Sequence, residues 1–538
     1  MPAITDTYFP GVHVVERPFN PGTQSFLDVT AFGAFVGKSN QGPTTPTECR
    51  SWPQFVEHFG PNYTDLHNAV YDFFTNGGRR AYVVRIPGTG GAAASLPIYS
   101  DTTADPPGVA TPLFTVTASN VGAWGNTLRV VTYVRDASNY RFDVALYKLP
   151  TATTTFDATK RNNEYLVEQW NDVSLFPNDE RYLYPLVNPP SATASPIVVF
   201  NGQSYDPNAS NIPANRPMPG GPATDYNLQG GVDGSYTGGY TDATEYAAAI
   251  AKLESIPGPY VLNLPNQTTA AIVKAAIQDA ATRGDVFVIC DPPLNKTPAE
   301  IVTYATTDLG LTGFGNIQGS FGALYYPQVY MPAIGSPTPG RTALRPAGGA
   351  ITGAYMATDD AIGPWRVPAG RDYRVGGALN VERSLTESEL TSLNNAHVNA
   401  LRLLTGAGVS IMGARTLKKS GTDQYINVRR TIMEVTRNLI SITEVELFEN
   451  NDERLWERLA GSCRLYLNNI LAQGGLRGGS AEQAFFVRCD ETNNTPNTVA
   501  QGVVNIEVGI ALLVPTEFII ITIGQYEGGI PATTSVEV

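Results

Sequence analysis

The chain has 538 residues, 42% of them hydrophobic and only 16% charged, so it can bury more than one core; at about 100–200 residues per domain it divides into about three or four domains. Gly (52) and Pro (40) are plentiful, and an uncharged, turn-rich surface suits a subunit packed against copies of itself. The formal net charge of −13, with Arg79-Arg80 and Lys418-Lys419 standing as isolated basic pairs, argues against a basic track for nucleic acid.

Four cysteines (Cys49, Cys290, Cys463, Cys489) without a CxxC pair predict reduced, buried thiols and assembly in a cytosol, not a disulfide frame or a zinc knuckle. The opening MPAITDTYFPG has neither a basic n-region nor an apolar h-region, so no secretory signal is expected. The strongly apolar run from Phe518 to Ile523 is far shorter than the ~20 residues of a membrane helix, so no membrane insertion is expected.

In chain order, residues 1–22 read as an arm. A short strand, Val12 to Val15, is punctuated by Pro10-Gly11 before it and by Pro18 and Pro21-Gly22 after it, which leaves it to pair with another sheet. The body opens with an apolar strand over Val29 to Gly37. Ser51-Trp-Pro-Gln54 then predicts a helix start with Gln54 closing a capping box, and Leu66, Val70, Phe73 and Phe74 predict a second helix ending at Asn76-Gly77-Gly78. Arg80 to Ile86 reads as a strand.

From Pro87 to about Gly231 the texture turns to Thr, Pro, Gly and Asn, with short strands such as Leu128 to Val134 and Arg141 to Tyr147. This is the pattern of a mostly β domain inserted into the body. Alternation returns afterwards. A helix capped by Thr241 runs through Leu253, Tyr260 to Leu264 is a strand, Thr268 to Thr282 a helix and Asp285 to Cys290 a strand, which implies α/β architecture. Thr386 with Glu389 forms a second capping box, opening a long helix expected to reach about Thr405 with His397 on its apolar stripe. Helices follow over Val428 to Leu447 and Asp452 to Ala472. In the latter Asn451 is the expected N-cap, and Leu455, Leu459, Cys463, Tyr466 and Ile470 form one core stripe. Alternating Val504, Ile506, Val508 and Ile510 predict a strand. Phe518 to Ile523 reads as another, before Gly524, Gly528 and Gly529 loosen the chain ahead of a β-prone Ala532 to Val538.

The expected fold class is therefore α/β and α+β multidomain: an α/β core, a C-terminal α+β domain, an inserted mostly-β domain, and extended strand arms at both ends. The expected divisions are an arm at 1–22, the body at 23–90 and 230–382 with the insert at 91–229, a C-terminal α+β domain at 383–523 and an arm at 524–538.

Chemistry is sparse. Gly37-Lys38-Ser39 resembles the end of a phosphate loop, but Gly33 and Gly37 enclose three residues where four are required. Gly88-Thr-Gly90-Gly-Ala-Ala93 follows a strand but leads into Pro97, Pro106 and Pro107, which suits a domain junction better than a dinucleotide fingerprint. Arg283-Gly284-Asp285 fits a helix-to-strand turn. There are four histidines and no GxSxG or HExxH, so no catalytic, cofactor-binding or metal-ligating residue is assigned.

Several stretches, in order, resemble the contractile-tail sheath family over most of the chain: Pro10-Gly-Val-His-Val-Val-Glu16, Asn76-Gly-Gly-Arg-Arg-Ala-Tyr-Val-Val-Arg85, Gly230-Gly-Val-Asp-Gly234, Pro364-Trp-Arg-Val-Pro-Ala-Gly370 and Gly413-Ala-Arg-Thr-Leu417. More specific still are Tyr425-Ile-Asn-Val-Arg-Arg430, Phe448-Glu-Asn-Asn-Asp-Glu453, Ala484-Phe-Phe-Val-Arg-Cys-Asp490, Val504-Asn-Ile-Glu-Val-Gly509 and Pro515-Thr-Glu-Phe518. The resemblance implies a non-enzymatic subunit that assembles in the host cytoplasm into the tail of a virion, as a helical stack of hexameric rings. Its implied partners are further copies of itself, an inner tail tube protein, and baseplate and tail terminator proteins, with no nucleic acid bound directly. The same role in a headless tailocin or other injection system is the alternative.

The resemblance also implies strand exchange between subunits. Val12, Val14 and Val15 would form one donated strand, hinged at Pro18, Pro21 and Gly22. Thr534, Val536 and Val538 would form the other, hinged at Gly524, Gly528 and Gly529, with Phe518, Ile520 and Thr522 in the receiving sheet beside Val504 to Ile510. A tube-facing helix carrying Asp452, Glu453 and Glu457 comes from the resemblance alone.

Overall fold

The computed structural model describes residues 32–61, 63–98, 112–136, 139–154, 164–188, 197–202, 226–235, 242–311, 316–335 and 340–517. The first elements are strands β1 (Phe32–Lys38) and β2 (Thr47–Cys49), helices α1 (Trp52–Phe59) and α2 (Asp65–Thr75), and strand β3 (Ala81–Ile86). Ser51 caps α1 by accepting from the Gln54 backbone N–H, and Pro53 sits in the first turn. The Gln54 side chain closes back one residue earlier than expected, accepting from the Arg50 N–H at 2.8 Å.

The inserted region supplies β4 (Ser95–Ile98), β5 (Phe114–Ala118), β6 (Leu128–Asp136), β7 (Arg141–Lys148), β8 (Leu166–Val173), a short α3 (Leu183–Val187), β9 (Val198–Gly202) and β10 (Tyr226–Asn227). They form a sheet ordered β10-β6-β7-β8 and a sheet ordered β4-β5-β9. Alternating residues of both sheets point into one core, where Phe114 stacks on Phe142 and Phe200 at 6.3 and 5.7 Å. The glycine run at 88–91 belongs to the neck: Thr89 bridges Ser235, Ala92 bridges Val232 and Ser95 bridges Gln229, so both chain passages enter the insert side by side.

The body resumes with α4 (Ala243–Ala251), β11 (Tyr260–Asn263), α5 (Ala270–Arg283), β12 (Val286–Cys290), α6 (Pro298–Thr303), β13 (Gly322–Tyr326), β14 (Val329–Pro332), β15 (Thr342–Arg345), α7 (Gly348–Ala361), β16 (Asn380–Val381), α8 (Glu387–Asn395), β17 (Val398–Leu404) and β18 (Gly408–Met412). Asp242, not Thr241, caps α4: its carboxylate accepts from the Thr244 and Glu245 N–H groups, while Thr241 lies outside the described residues. Eight strands form one sheet in the order β18-β17-β13-β12-β11-β1-β3-β2, parallel from β17 through β3. Its central strands, such as Val-Phe-Val-Ile-Cys over 286–290, are buried throughout, as parallel strands covered by helices on both faces require.

The long helix expected from Thr386 to Thr405 is not there. The capping box is real, with Thr386 accepting from Glu389 N–H and Glu389 accepting from Thr386 N–H, but α8 stops at Asn395. His397 takes a left-handed φ of 59°, and the following residues pair as β17 with β13 and β18. Sheet pairing buries Val398, Ala400 and Leu401, which outweighs the weak helical period of that stretch. His397 is therefore a buried turn residue, its Nδ1 3.0 Å from the Thr416 carbonyl, and not part of a helix stripe.

The C-terminal elements are α9 (Ile426–Glu444), α10 (Glu453–Ala472), α11 (Ala481–Ala484), β19 (Phe485–Arg488), α12 (Pro496–Ala500) and β20 (Glu507–Ile510). The α10 cap is Asp452, which accepts from Leu455 N–H at 2.9 Å. Asn451, the expected cap, instead accepts from the Trp456 indole N–H at 2.8 Å and donates to the Val503 carbonyl at 3.1 Å.

Candidate functional site

In open α/β sheets, ligands bind beyond the carboxyl ends of the strands where the strand order reverses. Here that point lies between β1 and β11, and the protein's own groups fill it. Asp291 accepts from the Asn266 N–H at 2.8 Å and lies 3.5 Å from Asn263 Nδ2. It also accepts from the Gly348 N–H at the start of α7. A Cβ on Gly348 would stand 2.1 Å from the Asp291 carboxylate, so this plug requires glycine. Burial raises the Asp291 pKa to about 7, its hydrogen bonds opposing the shift.

Gly37 and Lys38 lie in β1 and not in a phosphate loop. Arg85 was missed in the sequence: fully buried, it donates to the carbonyls of Ser39, Asn40 and Gly42 and locks the turn after β1. Gly284, with a φ of 78°, ends α5, and Arg283 pairs with Asp285 at 3.0 Å, so that tripeptide is a structural turn. Among the described residues no cluster of three or more His, Cys, Asp or Glu could hold a metal, and no helix is long and apolar enough to cross a membrane.

The feature that bears on function is in the C-terminal part. β19 and β20 pair antiparallel, Phe485 opposite Ile510 through Arg488 opposite Glu507. One face of this ribbon packs on α10, whose expected stripe (Leu455, Leu459, Cys463, Tyr466, Ile470) is buried against Phe485, Val487 and the half-buried Val504, Ile506, Val508 and Ile510. The end of the ribbon is held by polar groups: Asn493 Nδ2 donates to the Arg488 and Asn505 carbonyls at 2.9 and 3.0 Å. The ribbon has two strands only, and among the described residues no third strand pairs with either edge.

A clamp fixes the chain after the ribbon. Arg415 donates through Nε and Nη2 to the Glu517 carboxylate, and Asn427 Nδ2 donates to the Leu513 carbonyl at 2.7 Å. Sequence reasoning overlooked this pair, although Arg415 and Glu517 each sit inside a stretch quoted for the family resemblance. The strand expected over Val504 to Ile510 is confined to Glu507–Ile510, and its partner is Phe485–Arg488, which was not assigned that role.

Of the residues expected to act in strand exchange, Val12, Val14, Val15, Phe518, Ile520, Thr522, Thr534, Val536 and Val538 all lie outside the described residues, as do the hinges Pro18, Pro21, Gly22, Gly524, Gly528 and Gly529. Asp452, Glu453 and Glu457 are brought together on the solvent-exposed side of the first turns of α10.

A sequence model for the phage tail sheath protein central domain matches residues 239–417, and one for the phage tail sheath C-terminal domain matches residues 419–525; together they span more than half of the chain. No curated protein sequence matches. In fold, the chain is similar to a chain of the six-fold symmetrised anti-feeding prophage baseplate (TM-score 0.56, 18% identity, 97% of this chain and 100% of that one). It is similar to the anti-feeding prophage helical sheath in its contracted state (0.55, 19%, 96% and 99%). It is also similar to the sheath tail protein Lin1278 from Listeria innocua (0.59, 10%, 91% and 96%).

Proposed function

The chain belongs to the phage tail sheath family, a family of structural proteins, and from that premise we propose that it polymerises as stacked rings, hexameric in symmetry, around an inner tail tube and contracts to drive that tube through a cell envelope for genome delivery. The observation that carries the proposal is the two-stranded ribbon of β19 and β20, whose outer edges no described strand covers. An open edge of this kind is a template for a strand from another chain. The donated strands are Val12 to Val15 and Thr534 to Val538, each from a neighbouring copy. Each added strand forms about two to four main-chain hydrogen bonds, worth about 0.5–1.5 kcal/mol apiece. That is weak enough singly for assembly to proceed and, repeated around a ring, enough to keep subunits linked while their bodies slide.

The clamp of Arg415 on Glu517 supports this division of labour, because it fixes the point from which the C-terminal arm departs. The energy of contraction lies in a difference of packing between two assembled states, not in a bound nucleotide. Asp452, Glu453 and Glu457 face the tube, the baseplate starts the stack and a terminator ends it. A headless injection particle is the second reading, favoured by the fold shared with the anti-feeding prophage sheath along nearly the whole chain. A neighbouring capsid gene would decide against it.

Negative-stain microscopy of the full chain beside a variant lacking residues 1–22 tests the proposal. Hollow cylinders from the full chain and small particles from the truncated one are expected. Cylinders from both would remove the N-terminal arm from the account.

A further inference from the structure

Helices α9 and α10 form an antiparallel hairpin, and its turn carries an unusual surface. Phe448 is 92% exposed and Val445 82%, the two most exposed large apolar residues among those described. Phe448 also has a φ of 72°, a left-handed conformation that a bulky aromatic adopts only under strain. The six residues 444–449 hold three acidic groups (Glu444, Glu446, Glu449) and no basic one. Arg458, 2.7 Å from Glu446 and 3.8 Å from Glu449, offsets them in part, and Arg454 follows in the first turn of α10.

The opposite chemistry stands at the far end of the hairpin. Arg366, Arg371, Arg374 and Arg402 form no ion pair among the described residues, although the chain as a whole is strongly acidic. They are neighbours. Arg374 bridges Ser410, and Ser410 lies opposite Arg402 in the β17–β18 pair, so both arginines flank one serine. Arg371 reaches the Thr405 carbonyl at 3.0 Å, and Arg366 lies 3.4 Å from the Tyr373 hydroxyl. Met412, partly exposed and two residues beyond Ser410, shares its face of the sheet. Asp372 is the acidic group within this stretch.

We propose that the acidic, Phe448-tipped hairpin of one copy docks on the Arg366–Arg374–Arg402 face of a second copy. The inference rests on the sheath proposal and adds a contact separate from the strand arms. Charge complementarity selects the partner, and Phe448 gives the contact an apolar and cation–π anchor among guanidinium groups. The contact is intermolecular by geometry. α9 starts where Ile426 N–H donates to the Ala414 carbonyl, two residues past β18, and its 19 residues set the tip about 28 Å from that start. Two different patches held that far apart on one rigid chain make a head-to-tail contact, the kind that builds open helical stacks instead of closed dimers.

The test uses the full chain, with sedimentation and electron microscopy reading the fraction in polymers. Phe448→Gly is the informative variant, because glycine accepts the left-handed backbone. Its monomer is expected to melt no lower than wild type while its polymer fraction falls by at least about tenfold. Arg374→Glu with Arg402→Glu is expected to fall equally, and adding Glu444→Arg with Glu449→Arg to that variant is expected to restore polymers. Wild-type polymer levels from Phe448→Gly, or no recovery in the charge-exchanged variant, overturn the hairpin contact and leave the sheath proposal standing. A wild-type chain that forms no polymer even with baseplate and tail tube supplied overturns both.

Discussion

Replacing Arg345 by Met should destabilise the body by about 3–5 kcal/mol, because it strands a buried carboxylate. Arg345 and Asp72, 5% and 3% exposed, join β15 to α2 through a two-point pair, Nη2 to Oδ1 at 2.7 Å and Nε to Oδ2 at 3.0 Å. The guanidinium also donates to the Pro332 carbonyl at 3.1 Å. At about 2–4 °C per kcal/mol for a domain of 150–250 residues, the loss lowers the melting temperature by roughly 6–20 °C. The double variant Arg345→Met, Asp72→Leu removes both charges and should recover most of that loss. Burial raises the Asp72 pKa to about 6 even with Arg345 beside it. The folded state thus binds this proton more readily than the unfolded one. The stability Asp72 contributes is present below about pH 4 and is lost as pH rises towards 6. Without Arg345 the carboxyl holds its proton still more tightly, so the deficit of the single variant should be widest near pH 8 and narrower at pH 5. Calorimetric scans of the monomer at both pH values measure this. A double variant as unstable as the single one, or a deficit indifferent to pH, would refute the ion-pair reasoning.

Excising residues 92–232 and joining the neck by a short glycine linker should leave the body folded, since the insert has its own core and the two chain passages meet at Thr89 and Ser235; loss of cooperative melting would contradict this. His67 is buried, its Nε2–H donating to the Gly60 carbonyl at 2.9 Å, and burial holds its pKa below the usual histidine value. The unfolded state therefore takes the proton first, and stability falls as pH drops below about 6.5. His67→Gln should flatten the melting-temperature profile between pH 5 and 7, and an unchanged slope would remove His67 as its source. Thr386→Ala breaks the α8 capping box and should cost about 0.5–2 kcal/mol in thermal unfolding, a loss that Thr386→Ser should largely avoid.

What could be read in advance was local. Ser51, Thr386 and the Leu455 to Ile470 stripe marked helices because caps and a 3.6-residue period are written in neighbouring residues. The insert was legible from its composition. What failed was set by distant partners. Val398–Leu404 is a strand because β13 and β18 lie on either side, a fact absent from residues 386–405, although Asn394-Asn395 before His397 could have signalled a left-handed stop. The Arg345–Asp72 pair and the Arg415–Glu517 clamp join residues far apart in sequence, and nothing local distinguishes those arginines from surface ones. Asn451 and Asp452 are both good caps, and the Trp456 indole and the Val503 carbonyl, which engage the Asn451 side chain, decide between them.

A helical reconstruction of the assembled protein at side-chain detail tests the central claim most directly. The account predicts that the ribbon of Phe485–Arg488 and Glu507–Ile510 gains strands on its open edges, built from Val12 to Val15 and Thr534 to Val538 of neighbouring copies. A ribbon that remains two-stranded in the polymer, with subunits held only through their bodies, would contradict it.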